Sequence, residues 1–252
     1  MERIDAGGAP RHLRHMPKLK LTVLSLRYSS WSMRPWLTLY QTGAPFETET
    51  VELPHMARQS EATSLADRRK LGSVRGLFPV LRVDGTPIHE SLAICEYVAD
   101  AFPDAHLWPA EPLQRAAAGA VCSEMVSGFT SMRTELSCHL FGRVKSFEPT
   151  AAARADIERV FEIWNEKLDA SGGPFLFGRF SIADAMYFPV LTRFRTYGVS
   201  LPSTLVPYGE ALEAHPAVQA LIAVASSAPH IPVYDDYLRR CGGDPDAALR
   251  TK

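Results

Sequence analysis

The chain has 252 residues, 46% hydrophobic and 22% charged, with 27 basic against 28 acidic side chains, the make-up of a soluble globular protein with room for one or two domains. No basic excess exists to draw phosphate backbone or anionic lipid, which speaks against nucleic-acid and membrane-surface partners. Cys95, Cys122, Cys138 and Cys241 lie 27, 16 and 103 residues apart, matching neither a zinc site nor a C-x-x-C pair and pointing to reduced thiols in a cytoplasmic setting.

Residues 1–17 lack the apolar core of a signal peptide and are expected as a disordered leader, although Met16-Pro17-Lys18 leaves a later start open. No run of about 18 apolar residues occurs, so no spanning helix is expected. Leu19 to Leu26 alternates and then turns wholly apolar, as in a strand covered on both faces. Met33, Trp36, Leu37 and Tyr40 then fall at helical spacing, closed by Gly43, and Phe46 to Leu53 alternates again. The result is a β-α-β unit with parallel strands.

Residues 54–75 are polar and read as a loop with one short irregular helix. Phe78 to Val83, Asp84-Gly85 and Thr86 to His89 predict an antiparallel hairpin, because Asp-Gly tolerates the positive φ of a tight turn. Ser91 is expected to cap a helix running to Phe102, with Leu92, Cys95, Val98, Ala99 and Phe102 facing inward. Two prolines and a change of composition make 103–111 a linker between domains at 18–102 and 112–240. Beyond it helical spacing covers 113–142, 150–170, 182–196 and 216–227, with Ser181 and Asp184 forming a capping box and Pro189 expected to kink its helix. The glycine-rich, charged segment 241–252 reads as a flexible tail.

The candidate chemistry lies in three short segments. Ser29, Ser30 and Ser32 precede a helix at the carboxyl end of a parallel strand, where an open sheet binds ligands; without other context, such serines are helix caps. No G-x-S-x-G surrounds them, which disfavours acyl transfer. Pro79 opens a strand, where a missing N–H costs little. Glu90-Ser91 marks a helix start. No H-E-x-x-H occurs among the eight histidines, so no metal site is expected. Cys122 and Cys138 read as structural and Trp36 as core, while Arg133 faces either the cleft or, as the preferred reading, solvent.

Taken together, Phe78-Pro79-Val80-Leu81, His89-Glu90-Ser91-Leu92 and the loop Ser29-Ser30-Trp31-Ser32-Met33-Arg34 resemble the cytosolic glutathione transferases over roughly residues 18–240. The serine loop resembles the zeta class, the maleylacetoacetate isomerase type, and its bacterial kin. This implies a thioredoxin-like α/β domain followed by an all-helical domain, a homodimer, and glutathione as cosubstrate against a small electrophile. It also implies catalysis by Ser29, with Ser30 as alternative, and glutathione contacts from Ser32, Phe78, Pro79, Val80, Glu90 and Ser91, with a cis Phe78–Pro79 bond. A serine O–H would donate to the thiolate, Glu90 would meet the γ-glutamyl ammonium, and Ser91 with the helix amides its carboxylate. A cis-trans isomerase and a non-catalytic binding protein remain as alternatives, and Trp31 stands where the zeta motif has cysteine. Physical support for a dimer comes from the stripe Val121, Met125, Phe129, Met132 and Leu136, with Cys122, Val126 and Leu140 beside it.

Overall fold

A computed structural model describes residues 16–51, 65–66, 69–70 and 73–250. Most of the expected 54–75 loop, and 1–15 of the expected leader, lie outside these residues.

Strand β1 (Leu19–Val23) is central in a sheet ordered β2-β1-β3-β4, parallel to β2 (Phe46–Thr50) and antiparallel to β3 (Val80–Val83), which pairs with β4 (Thr86–His89). Leu19, Leu21 and Val23 are buried on one face; on the other Thr22 is buried but Lys20 is part-exposed and ion-paired with Glu47 and Glu49, so the expected cover on both faces holds only toward the end of the strand. Asp84 and Gly85 both take positive φ, 48° and 90°, which the two-residue hairpin requires.

Helix α1 (Ser30–Gln41) packs on this sheet beside α2 (Ser91–Ala101), where the Thr38 hydroxyl meets Cys95 Sγ at 3.2 Å. Trp36 is a core residue, its Nε1 donating to Thr48 Oγ1 at 3.1 Å. One difference from the sequence reading lies at the start of α2. The cap is Glu90, whose Oε2 accepts from Leu92 N and Ala93 N at 3.0 and 3.2 Å, while Ser91 is the first helical residue. Glu90 reaches this position with φ 74° and ψ 137°, a backbone conformation that no propensity reports.

The second half is helical, as expected. Here another difference appears: 113–142 is not one helix. Helix α3 (Pro112–Ser127) stops at Gly128, where a Cβ would meet the Glu124 carbonyl oxygen at 2.8 Å, and Phe129 takes φ 57° before α4 (Thr130–Glu135). A short strand β5 (Arg143–Val144), α5 (Ala151–Ser171) and α6 (Ile182–Tyr197) follow, the last running uninterrupted through Pro189. The Ser181–Asp184 capping box is present, with Ser181 N donating to Asp184 Oδ2 at 2.9 Å. Burial, against several hydrogen bonds, pushes the Asp184 carboxyl up to about 6. Helices α7 (Val206–Ala214), α8 (Pro216–Ala225) and α9 (Pro232–Arg240) close the bundle. Among the described residues no helix is long and apolar enough to cross a membrane.

Two expectations need correction. The stripe on α3 and α4 is covered within its own chain, since Val121, Met125, Phe129, Met132, Leu136, Cys122 and Leu140 are all buried, so it does not call for a second subunit. The described part of the expected tail is packed: β6 (Gly243–Asp244) pairs with β5, α10 (Ala247–Arg250) follows, and buried Arg27 donates to Pro245 O at 3.0 Å and to the Asp246 carboxylate. A buried guanidinium requires acceptors, and this segment supplies them.

Candidate functional site

The sheet and the helical half enclose two adjoining cavities of about 540 and 410 Å³ that share Trp31, Leu77 and Phe78 as a common wall. The larger holds Ser29 and Ser30; the smaller is lined by Pro79, Glu90 and Ser91 together with Ser73, Arg75 and His89. Three segments separated along the sequence thus converge on one cleft. The Phe78–Pro79 peptide is cis.

Ser29 is the N-cap of α1, its Oγ accepting from Ser32 N at 3.3 Å. Ser30, one residue on, accepts from Arg193 Nη2 at 3.4 Å. In both hydroxyls the protein uses the oxygen as an acceptor, which leaves the O–H free to donate. Ser32 stands apart: it is fully buried, accepts from Leu24 N at 3.2 Å and lines neither cavity. Val80 is likewise buried within the sheet, paired across to Thr22 and His89. Both belong to the scaffold around the cleft.

Ser91 differs from its expected role. Its Oγ donates to the Trp31 carbonyl at 2.8 Å, so the hydroxyl proton is engaged and ties the start of α2 to the serine loop. Both amide contacts of Glu90 fall on Oε2, and Oε1 carries no protein hydrogen bond among the described residues.

Behind the serine loop lies a polar network that sequence spacing did not reveal. Tyr28, which lines the larger cavity, donates to Asp235 Oδ1 at 2.8 Å, and the same carboxylate meets His139 Nε2 at 2.9 Å and His230 Nδ1 at 2.6 Å. His139 Nδ1 accepts from Gly142 N, which puts the ring proton of the neutral form on Nε2, facing Asp235. Burial lowers His139 despite that carboxylate. For Asp235, burial acts upward, but its hydrogen bonds with His230, His139 and Tyr28 outweigh it and leave the carboxyl below its usual value.

Three arginines gather at this end of the cleft, and of these the sequence reading raises only Arg133, with a solvated face preferred. Arg133, read from sequence as solvated, is half-buried and lines the larger cavity with Arg193, and the Arg133 and Arg34 guanidinium carbons lie 4.7 and 4.3 Å from the Trp31 ring centre. Burial, with Arg133 and Arg193 nearby, pushes Arg34 down to about 9. These side chains come from α1, α4 and α6, so only the tertiary fold assembles them. Cys138 also lines the cavity, but burial raises its thiol pKa, which removes the thiolate character a reactive cysteine needs.

Comparison with known proteins fits this geometry. Residues 28–101 match the model of the glutathione S-transferase N-terminal domain, and 147–223 that of its C-terminal domain. Protein LigF of Sphingobium sp. (strain NBRC 103272 / SYK-6) is 38% identical over 87 residues, 34% of this chain and 32% of that protein. A probable maleylacetoacetate isomerase of Caenorhabditis elegans is 33% identical over 113 residues, 45% of this chain and 50% of that one. The matches thus span a third to a half of these relatives. Among solved structures, a glutathione transferase homolog from Burkholderia GL BGR1 with bound glutathione superimposes with a TM-score of 0.62 at 23% identity, covering 83% of this chain and 98% of the other. The beta-etherase LigF superimposes with the same TM-score at 21% identity, covering 82% and 99%. Both support the fold: a thioredoxin-like domain followed by a helical domain.

Proposed function

Because the chain belongs to the glutathione S-transferase family, we propose that it is a glutathione transferase in which a serine hydroxyl stabilises the glutathione thiolate for attack on a small electrophile. Glutathione occupies the smaller cavity. Its γ-glutamyl ammonium meets Glu90 Oε1, its carboxylate meets the Ser91 N–H and the positive end of α2, and its cysteinyl part lies along Phe78 at the cis Pro79. The thiol then projects past Trp31 toward Ser29 and Ser30.

The observation that carries this reading is the state of the two serines: each oxygen is already occupied as an acceptor by an N–H, and each lines the cavity beside the cleft. Serine is no base near neutral pH. A donated hydrogen bond instead favours the ionised thiol, and lowering a cysteine-like pKa from about 8.5 to about 6.5 requires roughly 2.7 kcal/mol. One charge-assisted hydrogen bond with the N-terminal field of α1 supplies that amount. The released proton passes to solvent, and the thiolate sulfur bonds to the electrophilic carbon as its leaving group departs with the bonding pair or, at an activated double bond, as the π pair moves to the neighbouring carbon and takes a proton from solvent.

Ser29 is the first assignment. Titration of bound glutathione by thiolate absorbance tests it: Ser29→Ala should raise the thiol pKa by about one unit or more. If Ser30→Ala does so and Ser29→Ala does not, Ser30 is the donor, aided by Arg193. If the wild type leaves the thiol at its solution value, the protein is a binder and not a transferase. Product analysis separates a stable adduct from the isomerised electrophile of a cis-trans isomerase.

A further inference from the structure

We propose that the larger cavity selects an electrophile carrying a carboxylate, which Arg133 receives with the help of Thr130 and Thr134. The inference rests on the glutathione transferase reading and names the substrate class of the same site.

The first observation is how these arginines are partnered. Arg27, Arg154, Arg159, Arg195, Arg239 and Arg250 each meet a carboxylate. Around Trp31, as at Arg143 with the Gly142 carbonyl, the partners are neutral instead. Arg133 Nη1 donates to the carbonyls of Met125, Val126 and Gly128 at 3.5, 3.2 and 3.3 Å, and Arg193 Nη1 donates to those of Arg133 and Leu136. Arg34 Nε donates to Met186 O, while its buried Nη1 has no partner. Among the described residues these guanidinium groups meet no carboxylate, and no acidic side chain lines the larger cavity.

A carbonyl satisfies an N–H but does not neutralise a cation, and several like charges crowded into a part-buried space disfavour one another. Burial lowers the Arg193 pKa, and burial with Arg193 nearby lowers that of Arg133. The glutathione thiolate brings one negative charge to the Ser29–Ser30 end, next to Arg193. That leaves Arg133, whose carbonyl accepts from Arg193 at 3.0 Å, without a counter-charge of its own.

The second observation is geometric. Thr130, Arg133 and Thr134 fall at i, i+3 and i+4 on α4 and all three line the cavity, so one helix face sets an arginine between two threonines. A planar fork with adjacent hydroxyl donors matches a carboxylate. The Trp31 ring, with the guanidinium groups of Arg133 and Arg34 over it, fixes Arg133 at the cavity wall.

Calorimetric titration with two inert adducts, S-benzylglutathione and S-(4-carboxybenzyl)glutathione, tests the inference. The carboxylate adduct should bind at least tenfold tighter, the ratio should shrink as salt rises, and in Arg133→Gln it should fall to within about twofold. Because Arg133 also braces the end of α3, Arg133→Lys, which keeps the charge, is titrated beside it and should retain part of the preference. The salt series on the unaltered protein is independent of folding in either variant. Equal affinity for the two adducts overturns the proposal and leaves the glutathione site standing, as does a preference that survives both high salt and Arg133→Gln. If neither adduct binds, the glutathione reading fails and this inference falls with it.

Discussion

Glu90 caps α2 and, in the proposed reading, meets the γ-glutamyl ammonium, and two substitutions that remove both contacts differ only in how they bear its backbone conformation. Its carboxylate caps α2 through Oε2, and its backbone sits at φ 74°, ψ 137°. Removing the cap with Glu90→Ala costs about 0.5–2 kcal/mol, and alanine inherits the strained backbone. Glu90→Gly loses the same cap but relieves about 1–3 kcal/mol of strain, while the freer unfolded chain costs about 0.5–1 kcal/mol. Glu90→Gly should therefore be the more stable of the two by roughly 0.5–2 kcal/mol, which at about 2–4 °C per kcal/mol for a chain of this size is a readable difference in melting temperature. Glutathione affinity should behave differently. Both variants strand the γ-glutamyl ammonium and lose about 1.5–3 kcal/mol of binding, roughly a 10- to 150-fold rise in Kd. Thermal unfolding and calorimetry on the same preparations supply both readings. If Glu90→Gly melts below Glu90→Ala, the strain argument is wrong; if both bind glutathione like the wild type, Glu90 is only a helix cap.

Two other outcomes are expected. Ser29→Ala should lower stability by about 1 kcal/mol, since Ser32 N loses its cap acceptor, whereas Ser30→Ala should leave the cap intact; equal melting curves would place the cap elsewhere. His139, held below its ordinary 6.5 by burial, resists a proton that the unfolded chain accepts. Stability should thus fall as pH drops below 6.5, by at most about 1.4 kcal/mol per pH unit from this group. His139→Gln should flatten that slope in urea titrations at several pH values, and an unchanged slope would assign it to other groups.

The architecture was legible because its signals are local. Alternation in Leu19–Val23, the Asp84-Gly85 turn and the Ser181–Asp184 box each report on a few neighbouring residues, and each stands in the structure. What escaped depends on backbone conformation or on distance. A glutamate replaced the serine as cap of α2 because the chain turns at Glu90 with positive φ, and the long helix over 113–142 breaks because Gly128 lets the chain approach the Glu124 carbonyl. Arg193 reaches Ser30 across 163 residues, and Asp235 reaches Tyr28 across 207. No periodicity encodes such pairs. Arg133 was assigned to solvent because an isolated arginine on a helix usually belongs there.

Arg27 and Tyr28, at the base of the loop that presents Ser29, take their partners from Asp246 and Asp235, 219 and 207 residues further along the chain. During synthesis the α/β half can form its sheet early, since β1 to β4 are close in sequence, but Arg27 and Tyr28 find these acceptors only after the last helices have emerged. Closing so long a loop is entropically slow compared with pairing the strands. The cleft is therefore completed last. A nascent chain holding the whole first half would possess the Pro79–Glu90 end of the cleft, proposed above to hold glutathione, before the loop proposed to act on its thiol is braced.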